Sequence, residues 1–134
     1  MYIADLHTHS HYSRATSREC TPEHRDLWAR RKGISIVGSG DFTHSAWRDE
    51  LREKLIPEGN GFYTLKREYR IADAAAGSVQ PRFVITGEIS SIYKQCGRVR
   101  KVHSLILLPG LEAAELISRR LETIGNIHSD GRPI

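Results

Sequence analysis

Cysteine is scarce in this chain of 134 residues: Cys20 and Cys96 are its only thiols, far apart and without C-x-x-C spacing. No secretory leader precedes them, so the expectation is reduced thiols in a cytoplasmic protein, and nothing marks either as an activated nucleophile. Long apolar runs are missing too. None approaches the ~20 residues that a membrane-spanning helix needs. There is no internal repeat, no low-complexity tract and no acidic excess. Hydrophobic residues make up 39% and charged residues 27%, as in a globular domain, and the net charge of +4 with a pI near 9.3 is compatible with a polyanionic partner.

What the chain does have is histidine at informative spacing. Asp5-Leu6-His7-Thr8-His9-Ser10 follows a short apolar lead. In an extended strand His7 and His9 project to one side, close enough to share a divalent cation. Asp5 lies on the same face and is a candidate to take a ring N–H and fix a tautomer.

Ligand-type residues recur beside three further apolar runs. Residues 34–38 lead to Asp41 and His44, residues 83–87 lead to Glu88, and His103 opens the run 104–108. In parallel α/β folds functional groups gather at the carboxyl ends of strands, where all but His103 fall. Taken singly, His44 equally fits a helix cap, Glu88 a surface carboxylate and His103 a core imidazole.

The turn and capping residues alternate strand and helix. Strand one spans about 2–7. Thr21 is the expected N-cap, with Pro22 opening a helix that Gly33 closes. Ser45 is expected to cap a second helix carrying Trp47, Leu51 and Leu55 and ended by Pro57. A turn at 58–61, a short strand at 62–65 and a helix centred on 71–76 follow. Strand three comes after Pro81, and Ala113, Ile117, Leu121 and Ile124 line a last helix before Gly125. Trp28 and Trp47 read as core. Tyr12 and Tyr93 sit in expected loops as candidate platforms for an extruded base. Arg30, Arg31 and Lys32 complement a helix C-terminus. Arg14 and Arg18 beyond His9, with Lys94, Arg98, Arg100 and Lys101 in an expected loop between Glu88 and His103, are candidate phosphate contacts.

In order, DLHTHSHYS, VGSGDFTH, ITGEIS and KVHSLILLPG resemble the PHP (polymerase and histidinol phosphatase) domain. The spellings HSHYSRATSREC, PEHRDLWARRKGISIVGSGDFTH and IGNIHSDGRPI are most similar to the amino-terminal part of endonuclease Q, a PHP-type DNA repair nuclease. The resemblance implies a distorted (β/α)7 barrel with two or three divalent ions at its mouth, and nicking of DNA 5′ to deaminated bases or at abasic sites. It implies metal ligation by His7, His9, Asp41, His44, Glu88 and His103, with Glu88 and Asp41 as catalytic carboxylates.

Two departures stand out. Arg14 occupies a position that is acidic in many PHP domains, and Asp41-Phe42-Thr43-His44 replaces an adjacent Asp-His pair, leaving open which of the two binds metal. A full barrel of the related (β/α)8 type takes about 250 residues, and the family's later histidine and Asp-x-His motifs are absent. Residues 1–134 are therefore read as an incomplete PHP domain, the first half to two-thirds of a partial barrel, ending in a turn-rich segment around His128. Imidazole ligands favour zinc, while the carboxylates also admit manganese or magnesium. The alternatives are a PHP phosphatase acting on a small phosphate ester, and a catalytically silent metal-binding or DNA-binding module.

Overall fold

The computed structural model describes residues 1–127; the segment around His128 lies outside the described residues. It is a mixed α/β fold with the strands β1 (Ala4–Asp5), β2 (Ile36–Gly38), β3 (Leu55–Gly59), β4 (Phe62–Leu65), β5 (Arg82–Gln95) and β6 (Arg98–Leu108). The helices are α1 (Pro22–Lys32), α2 (Ser45–Lys54) and α3 (Leu111–Glu122), with a 3-10 turn at Arg67–Tyr69. The sheet runs β1-β2-β5-β4-β3, and β6 pairs with β5 off that path. Among the described residues the parallel pairings are β1 with β2 and β2 with β5. The strict strand–helix alternation expected of a barrel is thus interrupted by two antiparallel hairpins, β3–β4 and β5–β6.

Helix α1 forms where its caps dictate. Thr21 accepts the His24 N–H, Pro22 opens the first turn, and Gly33 at φ 70° closes the helix in the left-handed region. In α2 the N-cap is His44, whose Nδ1 accepts the Trp47 N–H, so the cap expected at Ser45 falls one residue earlier. Helix α2 ends at Lys54, before Pro57, which lies instead in β3. As an edge strand, β3 tolerates a residue without an N–H.

No helix forms at 71–76. Asp73 accepts the Ala75 N–H in an Asx turn, Arg30 of α1 donates to the Ile71 carbonyl at 2.6 Å, and Arg31 pairs with Asp73. These side chains satisfy the backbone locally and tie the segment to α1, removing the incentive for a helical ladder.

The core is built on Phe42, Trp47, Leu51, Phe83 and Ile85, all fully buried, with Leu108, Leu111 and Ala114 closing it from β6 and α3. Trp28, expected in the core, is 48% exposed, with the Arg31 guanidinium 4.8 Å from its ring centroid. It sits on the outer side of α1, where the cations of the last turn cover it. Ile124 lies beyond the end of α3 and is exposed. Cys20 and Cys96 are free thiols.

Candidate metal centre

Glycine decides how the H-x-H segment meets the rest of the sheet. A Cβ on Gly38 would lie 2.4 Å from the Leu6 carbonyl oxygen, and one on Gly40, at φ 64°, would lie 2.1 Å from that of Thr8. Only glycine lets the 38–41 loop press against the backbone that carries His7 and His9. Thr8 Oγ1 donates to the Gly38 carbonyl at 2.7 Å and locks the two segments together. Trp47 Nε1 donates to the carbonyls of Ser39 and Gly40 at 3.2 and 3.0 Å, and Arg25 donates to those of Gly38 and Ser39. Burial of Arg25 lowers its pKa, against the opposing attraction of Asp41.

The loop so fixed delivers Asp41, itself at φ 47°, to the histidines. Its Oδ1 lies 3.2 Å from His9 Nδ1. Its Oδ2 accepts from the Ser10 amide at 2.5 Å, Ser10 Oγ at 2.7 Å and Ser13 Oγ at 2.9 Å. A carboxylate held by three donors is an orienting group: it accepts a hydrogen bond from His9 Nδ1–H, which leaves Nε2 as the lone-pair nitrogen. The role assigned to Asp5 from strand periodicity therefore belongs to Asp41 on His9.

Glu88 lies inside β5, where that strand runs on past the parallel pairing into the hairpin with β6. Its Oε2 is 2.6 Å from His7 Nε2 and 3.8 Å from His9 Nε2, and its Oε1 pairs with His103 Nδ1. The hydrogen bond to His103 holds the Glu88 carboxyl below its ordinary pKa despite burial, and the bond to His7 adds to it. One donor atom each from His7, His9 and Glu88 falls within 4.8 Å of the others. Two imidazole nitrogens and a carboxylate oxygen, one imidazole already oriented by a second carboxylate, fit a divalent transition metal.

The structure thus gathers His7, His9, Asp41, Glu88 and His103. His103 lies in the middle of β6, whose antiparallel pairing with β5 sets it opposite Ser90 and so near Glu88. His44 caps α2, its ring stacked on Tyr12 at a centroid distance of 4.3 Å. Tyr12 also leans on His11 at 4.1 Å, so its stacking surface is engaged within the loop.

The segment expected to be a basic loop is instead the tip of the β5–β6 hairpin, turned at Cys96 and Gly97 with φ 51° and 72°. Positive φ at both residues matches a type I′ turn, which suits the twist of paired strands. Lys94, Arg98, Arg100 and Lys101 are therefore on strands. Arg14 and Arg18 lie in the loop between β1 and α1.

Sequence reasoning missed Ser10, Ser13, Arg25 and the pair His11–Glu50 at 2.8 Å. Short hydroxyls and a lone arginine leave no periodic signature, and the spacing of His11 gives no sign of a partner 39 positions away.

No family model matches the chain. It is 27% identical over 130 residues to the uncharacterized protein MJ0043 of Methanocaldococcus jannaschii, a match covering 96% of this chain and 13% of the relative. Among solved structures it is similar to the lesion-specific endonuclease PfuEndoQ from Pyrococcus furiosus, with 28% identity and a TM-score of 0.69. It is equally similar to endonuclease Q in complex with a 27-mer duplex substrate carrying an abasic lesion at the active site, with 28% identity and a TM-score of 0.70. Both matches cover 97% of this chain and 28% of the other. The chain thus spans little more than a quarter of the length of the proteins whose fold it shares.

Proposed function

We propose that this chain contributes the metal centre of a DNA repair endonuclease of the endonuclease Q type, which hydrolyses a phosphodiester beside a deaminated base or abasic site. The observation that carries the reading is the convergence of His7, His9 and Glu88, with Asp41 oriented on His9, in a chain that aligns over 97% of its length with a lesion-specific endonuclease. The parallel trio β1, β2 and β5 supports a further reading of the sheet as part of a PHP-type barrel.

His7, His9 and Glu88 would hold the cation, and zinc or manganese suits their mixed donor set. A bound divalent ion supplies positive charge at the scissile phosphate. Asp41 keeps His9 in the ligating tautomer, and Ser10 and Ser13 keep Asp41 in place. His103 pins one oxygen of Glu88 and leaves the other directed at His7 and His9. Arg14 and Arg18, on the loop that follows His9, would meet the phosphates of a bound strand.

The test compares duplexes containing uracil, hypoxanthine, an abasic site or no lesion with a small phosphomonoester, at equal protein and with added zinc or manganese. In a protein that completes the domain, lesion-dependent nicking that His7→Ala abolishes is expected, whereas residues 1–134 alone are expected to nick little or not at all. Monoester turnover without lesion-dependent nicking favours a phosphatase instead.

A further inference from the structure

The register of the β5–β6 hairpin divides its basic residues between two faces. Residues directly opposite each other in an antiparallel ladder share a face, and successive residues alternate. Glu88 lies opposite Leu105, Ser90 opposite His103, Ile92 opposite Lys101 and Lys94 opposite Val99. The face that carries Glu88 and His103 therefore continues outward through Lys101 and Lys94. On the reverse face Tyr93 lies opposite Arg100 and Gln95 opposite Arg98.

Resting on the DNA-nuclease reading above, we propose that Lys94 and Lys101 track the sugar–phosphate backbone of a DNA strand whose reacting phosphate sits at Glu88. Arg98, Arg100 and Tyr93, on the reverse face, take no part in that contact.

Distances along the arm suit this role. Ile92, the partner of Lys101, is four residues beyond Glu88, or about 13 Å, and Lys94 is six beyond, or about 20 Å. An arm of that reach spans about six base-pair steps at about 3.4 Å each. Both lysines are exposed and form no ion pair among the described residues, whereas Arg31, Arg52, Lys54, Arg82 and Arg119 are each paired with a carboxylate. Beside each lysine the same face presents an apolar cross-strand partner, Ile92 opposite Lys101 and Val99 opposite Lys94, 41% and 66% exposed, as apolar surface for sugar rings. A strip of two unneutralised cations, each with an apolar residue beside it, extending from a cluster of candidate metal ligands, fits a polyanion lying lengthwise on the hairpin.

The experiment measures equilibrium binding of the full chain to a fluorescent duplex with a stable abasic-site analogue, from 50 to 200 mM salt and without added catalytic metal. Wild type is compared with the double variants Lys94→Gln/Lys101→Gln and Arg98→Gln/Arg100→Gln, each checked for an unchanged circular dichroism spectrum. Loss of two phosphate contacts lowers the slope of log K against log salt by about 1.8, so the affinity ratio across that salt range shrinks about tenfold. The lysine variant is expected to show this change. The arginine variant is expected to keep the wild-type slope and an affinity close to the wild type. An equal slope change in both, or one confined to the arginine variant, overturns the assignment of faces while leaving DNA binding standing. Absence of salt-dependent binding in the wild type overturns the nuclease reading and this inference together.

Discussion

His9 Nδ1 lies 3.2 Å from Asp41 Oδ1 across 32 positions of sequence, and this contact sets which nitrogen of His9 faces Glu88. Asp41 adopts a left-handed backbone conformation to make it, and three donors hold its other oxygen. Such an arrangement would orient His9 for a metal before one binds.

Asp41→Asn keeps the size of the side chain but removes the charged acceptor. Metal affinity is expected to fall about 10–100-fold, with the fold intact. Competition for zinc against a chromophoric chelator measures it, and an unchanged affinity would remove Asp41 from the metal centre.

The donor set itself makes a stronger prediction. Protein purified without chelator or affinity-tag histidines should carry zinc, manganese or iron by elemental analysis. The His7→Ala/His9→Ala double variant should carry none, and Glu88→Gln should carry much less. Equal metal content in wild type and the double variant would show that these side chains do not form the site.

Glycine substitutions should separate close approach from simple backbone preference. Gly33 and Gly40 both have positive φ, 70° and 64°, but a Cβ on Gly33 meets open space while one on Gly40 meets the Thr8 carbonyl. Gly33→Ala should cost about 1 kcal/mol. Gly40→Ala should cost more than about 2 kcal/mol and weaken metal binding as well, because the His7–His9 segment must move. Urea unfolding of both variants checks the order, and equal costs would refute the close-approach argument.

Lys54 bridges Glu23 of α1 and Glu50 of α2 at 2.6 and 2.8 Å. Burial raises the Glu23 carboxyl, but the hydrogen bond from Lys54, aided by backbone and Thr21 bonds, brings it below its ordinary 4.5. Stability from this group is therefore complete above about pH 4.5 and is lost as pH falls through the depressed value. Lys54 is raised overall: burial lowers it, and its two carboxylate partners outweigh that. Its contribution is present below its ordinary value and is lost as pH rises through the elevated one. Lys54→Met should cost about 1–2 kcal/mol at pH 7, between exposed and fully buried pairs, and less at pH 3. The same cost at both pH values in urea unfolding would show that packing rather than charge is responsible.

Local chemistry made part of this protein legible in its sequence. Thr21, Pro22 and Gly33 mark the ends of α1 because capping and φ preference act within a few residues. The H-x-H spacing points to His7 and His9 as neighbours, although both lie beyond β1, which ends at Asp5, and the apolar run 83–87 points to Glu88, although β5 carries on past it. What needed the tertiary structure were pairings between distant segments. That Asp41 rather than Asp5 turns His9, that His44 caps a helix, that Trp28 lies outside the core, and that Lys94 and Arg98 point to opposite faces all depend on register and loop placement. Those choices are fixed by how the sheet closes over Phe42, Trp47 and Phe83, and no residue's own propensity contains that information.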